Sequence, residues 1–194
     1  MSFTGNVKFK ISFFIFILCG TLSYSMLLKK GYSDLEELSI KPILKSIPDL
    51  EILDGLSKQK FNLKTEAIKT KNGSFVHFWG TWCGPCEEEL PSFIELSKKF
   101  QESGETFYLV AVNDSITDLK KFLKRFKSLP KNVKVLLDNS GSLMSSYGVA
   151  KVPETFIFDG NGQSLKKFSG PQDWKFSYYF NTINNLFRDS KLNL

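Results

Sequence analysis

Residues 77–86 read "HFWGTWCGPC" and carry the chain's most reactive spacing, two cysteines with two residues between them. Such a pair can exchange a disulfide with a second protein. One thiolate attacks a disulfide sulfur, and the other cysteine then clears the mixed disulfide that results. The same spacing is also half of a zinc site, which needs a second pair of ligands. The only other cysteine, Cys19, lies in an apolar segment, and the single histidine, His77, stands alone. No metal is expected, and Cys83 and Cys86 are read as a redox pair.

The elements that must position this pair have to come from one domain. A chain of 194 residues supports one well-buried globular domain plus an appendage. Three cysteines are too few for a disulfide-stapled scaffold. The net charge of +6 raises the question of nucleic acid, but only two of the cations are arginines, Arg125 and Arg188, and the lysines are scattered. Bidentate phosphate readers are nearly absent, and nucleic-acid binding is excluded on that ground. The densest basic stretch, "LKKFLKRFKSLP", puts Leu119, Phe122, Leu123 and Phe126 on one helical face with lysines opposite, as expected of a solvated amphipathic helix.

Near the N-terminus, Lys8 and Lys10 precede an uncharged apolar run, residues 11–28, which Lys29 and Lys30 close. As a helix it would measure roughly 27 Å, close to the hydrocarbon thickness of a bilayer. A cleaved signal peptide is the rival, because Ser23-Tyr24-Ser25 has the small-x-small form of a cleavage site. The run resumes after that site with Met26-Leu27-Leu28, which favours an uncleaved anchor. Lysines before the span place the N-terminus in the cytoplasm and the rest outside it. The expected organisation is a cytoplasmic stub and signal anchor at 1–28, a polar tether at 29–47 with a short helix at 33–40, and a globular domain at 48–194.

Within the domain, two short alternating runs around Asp54-Gly55 predict a hairpin or a strand and turn. "SFVHFW" (74–79), "TFYLVAVN" (106–113) and "NVKVLLD" (132–138) read as buried strands. Helices are expected over 83–101, over 115–129, briefly over 141–148, and over 173–189. A hairpin turned at residues 159–162 precedes the last of them. The order β-α-β-α-β-α-β-β-α fits a mixed sheet covered by helices on both faces.

This places Cys83 at the start of a helix, where unpaired N–H groups and the positive dipole end stabilise a thiolate. Cys86, one turn further in, can resolve the mixed disulfide. Glu87 and Glu88 complement the helix dipole. His77 shares strand parity with Phe75 and Trp79 and so faces one layer of the core with them.

With Trp82-Cys83-Gly84-Pro85-Cys86 at a strand-to-helix junction and Val152-Pro153 just before a later strand, the chain resembles thioredoxin. More narrowly, it resembles the membrane-tethered TlpA/ResA/DsbE (CcmG) family of thiol-disulfide oxidoreductases. The blocks "FWGTWCGPCEEELP" and "YGVAKVPETFIFDGNG", with the anchor and extra N-terminal hairpin, carry the resemblance from about Pro48 to Arg188. It implies an α/β thioredoxin fold: a mixed central sheet flanked by helices, an added N-terminal β-hairpin and an N-terminal transmembrane anchor. The "PET" triplet leans towards the DsbE branch and the Gly-Pro between the cysteines towards TlpA.

The resemblance also assigns roles. Cys83 and Cys86 are implied to be catalytic, with no cofactor beyond the disulfide they share. Glu89 matches the family's acidic residue and would tune the cysteines or move protons. His77 stands where thioredoxin has a buried Asp and many relatives an Asn; it is either a neutral, hydrogen-bonded core residue or a proton acceptor for Cys86. Trp82, Val152 and Pro153, the last matching a cis-proline, would bind substrate, and Glu154 would help choose partners. The implied protein is a protein-disulfide reductase, single-pass in a bacterial cytoplasmic membrane, with its domain on the periplasmic side. Its clients would be exported proteins with disulfides, apocytochrome c among them, and its electrons would come from a membrane donor of the DsbD/CcdA type. A copper-site assembly reductase or a copper-binding chaperone of the same fold is the alternative, although the chaperone class resembles a Cys-x-x-x-Cys with a distal His.

Overall fold

A computed structural model of the chain describes residues 13, 15–27 and 44–192. It divides into two units, Met1–Lys41 and Pro42–Leu194. The described part of the first is a helix over 15–27, on which Cys19 is exposed. Among the described residues no helix is long and apolar enough to cross a membrane. The expected span, 11–28, and the tether, 29–47, lie partly outside the described residues, and the short helix at 33–40 wholly so.

The second unit begins before Pro48. Ser46 bridges to Gln163 and Ile47 is fully buried, so the last residues assigned to the tether belong to the domain. Then follow β1 (Glu51–Asp54), β2 (Lys60–Asn62), α1 (Leu63–Lys69), β3 (Ser74–Trp79), α2 (Gly84–Lys99), β4 (Thr106–Val112) and α3 (Ile116–Leu123). The remainder is β5 (Val133–Asp138), α4 (Ser142–Ser146), β6 (Glu154–Phe158), β7 (Ser164–Ser169) and α5 (Ser177–Leu192). One sheet runs β2-β1-β5-β4-β3-β6-β7. Its centre, β5-β4-β3, is parallel, while β1 and β6 join it antiparallel on either side. The β1–β2 pair is the expected N-terminal hairpin.

The central strands are buried on both faces, which is why they read as unbroken apolar runs. One face carries Phe75, Trp79, Phe107 and Leu109 against α2, α3 and α5; the other carries Val76, Phe78, Tyr108 and Phe156 against α1 and α4. Three boundaries differ from expectation. α1 has no counterpart in the sequence reading; Asn62 caps it by accepting a hydrogen bond from Thr65 N at 2.9 Å. α3 stops at Leu123 instead of running to Leu129, so Phe126 reaches the core from a loop, its ring tilted against Phe122 at 6.1 Å. α5 starts at Ser177 rather than Asp173, because Trp174 is drawn down onto α2.

Phe75 joins four elements. It stacks on Phe107 with ring centroids 3.9 Å apart and meets Phe93, Phe100 and Phe187 at 6.3, 5.4 and 5.7 Å. Truncating it empties the place where β3, β4, α2 and α5 meet. Phe75→Ala should therefore cost about 3–5 kcal/mol in urea unfolding. A loss below about 1 kcal/mol would mean that the aromatic layer refills the space and is not the joint described.

Candidate active site

The cysteines sit where β3 ends and α2 begins. Cys83 is the N-cap of α2, with extended backbone, and Cys86 N–H points at its sulfur from 3.3 Å. Cys83 and Cys86 are joined as a disulfide. Cys86 is fully buried, whereas Cys83 retains slight exposure. That division is what an attacking and a resolving cysteine require.

Holding the pair in place is a loop pinned from the neighbouring strand. Because β3 and β4 are parallel and in register, residues just past Trp79 lie beside those just past Ala111. Asp114 uses that proximity: it accepts hydrogen bonds from Thr81 N at 2.7 Å and from Thr81 Oγ1 at 2.8 Å. Trp82 Nε1 donates to Val112 O at 3.0 Å, leaving most of the indole exposed beside the cysteines. Asp114 escaped the sequence reading. Its signal was a polar residue at the carboxyl end of a buried parallel strand, where sites in such sheets gather.

The Val152–Pro153 peptide is cis, and Val152 O lies 3.9 Å from Cys83 Sγ. The structure thus brings Val152, the residue before the cis-proline, to the attacking sulfur, while Trp82 precedes Cys83 in the pinned loop. Glu154 does not join them. Strand alternation turns it to the opposite face of the sheet, where it is buried, accepts from Ser169 Oγ at 3.2 Å and pairs with Lys167 Nζ at 2.8 Å. The partner-choosing role expected of it has no exposed carboxylate to act through.

Two buried titratable groups lie on the side of the sheet that α2 covers. Glu89, one turn beyond Cys86 on α2, accepts a hydrogen bond from Trp174 Nε1 and borders a hollow of about 480 Å³ shared with Pro85, Gln172 and Asp173. Its other oxygen, Oε2, has no hydrogen-bond partner among the described residues. Burial pushes its carboxyl up to about 7, against the lowering effect of the hydrogen bond from Trp174. His77 is fully buried on the same face of the sheet, stacked on Phe93 at 4.5 Å, with Nδ1 2.9 Å from Thr155 Oγ1. Its Nε2 has no partner among the described residues, and burial pushes the ring down to about 3. Phe93 stands between the two groups, since it also packs against Trp174 at 5.3 Å. Trp174 is the second residue that sequence reasoning missed, having been placed inside a helix.

A thioredoxin-fold disulfide-exchange site is what this fold and this pair of sulfurs define. The Redoxin family model matches residues 44–183. A thiol-disulfide oxidoreductase ResA from Bacillus thuringiensis subsp. konkukian is 33% identical over 158 residues, covering 81% of this chain and 85% of the relative. In fold, the chain is similar to a thiol:disulfide interchange protein DsbE from Chlorobium tepidum (TM-score 0.62, 23% identity, 74% of this chain and 96% of the other). It is also similar to StoA from Bacillus subtilis (TM-score 0.54, 20% identity, 70% and 98%). The chain belongs to the TlpA/ResA/DsbE-like family and is a thiol-disulfide oxidoreductase.

The two buried groups give stability opposite pH dependences. Glu89 holds its proton more tightly folded than unfolded, so its contribution is complete below about pH 4.5 and is lost as pH rises through about 7. His77 holds a proton less tightly folded, so its contribution is complete above about 6.5 and is lost as pH falls towards about 3. Between those limits the two slopes oppose each other. Glu89→Gln should leave a stability that climbs from about pH 3 to 6.5, and His77→Asn one that declines from about pH 4.5 to 7. Urea unfolding across pH measures both, and a variant profile parallel to wild type would show that the replaced group is not held in its neutral form.

Proposed function

We propose that the chain is a protein-disulfide reductase working outside the cytoplasmic membrane, to which residues 11–28 hold it as a single-pass anchor. The observation that carries the direction is Glu89, a carboxyl buried on the helix that Cys83 caps and ionising near neutral pH. A carboxylate so placed opposes a thiolate at the pair. Strong oxidants of this class stabilise the thiolate of their reduced form, and a site that does not is suited to giving electrons. The apolar run continuing past Ser25 supports the anchor.

The exchange balances as follows. Cys83 thiolate attacks one sulfur of a client disulfide, forming a Cys83–client bond and releasing a client thiolate. Cys86 loses its proton and attacks Cys83 Sγ, closing the Cys83–Cys86 disulfide and releasing the second client thiolate. Two electrons have passed to the client, and a membrane donor of the DsbD/CcdA type returns them. No cofactor or nucleic acid takes part. The clients are exported proteins with disulfides, apocytochrome c being the one that the DsbE-like "PET" triplet favours.

Glu89 takes the proton from Cys86, because its affinity lies near working pH, whereas an imidazole pushed down to about 3 is a poor base for a thiol. His77 is then the neutral core residue that positions β3 against β6 through Thr155.

Stopped-flow resolution of a mixed disulfide on Cys83 should speed up as pH rises through about 7. Glu89→Gln should flatten that rise, while His77→Asn should change the rate by less than about threefold. A slowing of tenfold or more in His77→Asn alone would hand the proton to His77.

Cys86→Ser should trap Cys83-linked clients in cells, and wild-type Cys83 and Cys86 should be mostly thiols after acid quench and alkylation. Adducts with copper-site assembly proteins would redirect the assignment to that branch. A mostly oxidised pair whose reduction depends on newly exported thiols would reverse the direction.

A further inference from the structure

The flank of α2 carries a second hollow that the chemistry above does not use. About 450 Å³ in volume, it has an apolar floor that includes Ile94, Phe126, Leu129 and Pro130. Its rim carries four cations, Lys98, Arg125, Lys127 and Lys175, against one carboxylate, Glu95. Glu95 is already paired with Lys98 at 2.6 Å, and Arg125 with Glu87. Lys127 and Lys175 are exposed and make no ion pair among the described residues. The early end of α3 creates this floor: residues 124–130 leave the helix and lie along α2 instead of extending away from it.

This hollow adjoins the one beside Glu89, since Pro91 and Lys175 line both. Together they form a groove along α2 with opposite charge at its ends. Near Pro85 it is bordered by Glu88, Glu89 and Asp173, and beyond Pro91 by the cations. From Pro85 to Lys98 the helix rises roughly 20 Å. An extended chain at about 3.3 Å per residue covers that in about six residues.

We propose that this groove is a docking site for an extended segment of the disulfide partner, one that carries carboxylates beside apolar side chains about six residues from its reactive cysteine. The proposal rests on the oxidoreductase reading, since it is the exchange at Cys83 that fixes one end of the segment. The apolar floor takes the side chains and the rim takes the carboxylates. Most of the rim's effect falls on the association rate and is weakened by salt.

The test uses the reduced full chain in detergent and synthetic peptides whose single cysteine carries a thionitrobenzoate group, so that exchange releases a coloured thiol. Peptides differ only in a four-residue tract, Asp/Leu, Lys/Leu or Ser/Leu, placed two or six residues from the cysteine on either side. The Asp/Leu tract at six residues, on one side, should raise kcat/KM about tenfold over the Lys/Leu tract at low salt. That ratio should shrink in 0.5 M salt and collapse in Lys98→Glu/Lys127→Glu, whose fold is checked by its melting curve.

Equal rates for the three tracts, a preference independent of spacing, or a preference surviving the double substitution would overturn the groove while leaving the oxidoreductase intact. Absence of release from every peptide would instead refute the oxidoreductase reading. Without an acidic preference, sedimentation with phosphatidylglycerol vesicles or self-association that needs the same two lysines would assign the groove to lipid or to a second copy, and so overturn the proposal.

Discussion

Everything at this site depends on the fact that a reactive sulfur must cap a helix whose inner face is buried against the sheet. The first turn of an α-helix leaves N–H groups without partners, and Cys83 occupies the position that faces them. A helix can offer its N-terminus in this way only if the rest of it is fixed, and α2 is fixed by the apolar face of β3 and β4. Phe75, Phe93 and Phe107 form the joint between strand and helix, with Phe100 and Phe187 closing it from the ends of α2 and α5. The loop between β3 and α2 would still be free to move if Asp114 and Val112 O did not hold Thr81 and Trp82. The position of the sulfur is therefore supported by a carboxylate from the loop that follows β4.

On the α2 side of the sheet, burial decides the protonation of two titratable groups. His77 is neutral because burial removes the water that would stabilise an imidazolium, and Glu89 stays protonated until near neutral pH for the same reason acting on an acid. Two groups that would carry charge on the surface have their protonation decided by position. Of these two groups it is Glu89, and not the histidine that the sequence brings to notice, that changes charge near pH 7.

The family resemblance and the physical reading meet at different depths. Relatives establish the exchange reaction and the fold. One layer out lie a histidine within β3, a carboxylate at Glu154 folded away against Lys167, and a cation-rimmed hollow beside the short α3. A common reaction constrains such outer features less, because sulfur exchanges with sulfur at the pair itself.

The sequence by itself determined the central strands, the helix that follows the cysteines and the β6–β7 hairpin. Unbroken apolar runs can only be buried strands at that length, and Asp159 and Gly162 can only turn the chain: Asp159 Oδ1 accepts from Asn161 N and Gln163 N, and Gly162 has a φ of 76°. The same reasoning placed Cys83 at a helix start and His77 in the core. Tertiary structure alone decided the rest. α1 is too short and too polar to announce itself and forms because Leu63 and Ala67 find the second face of the sheet. Trp174 leaves its expected helix because its indole reaches Glu89 and its backbone reaches Ser92, 82 positions away in the chain. Asp114, Glu154 and the groove share this cause. Which residues of distant segments lie side by side is fixed by strand order and register, and neither is written in local periodicity.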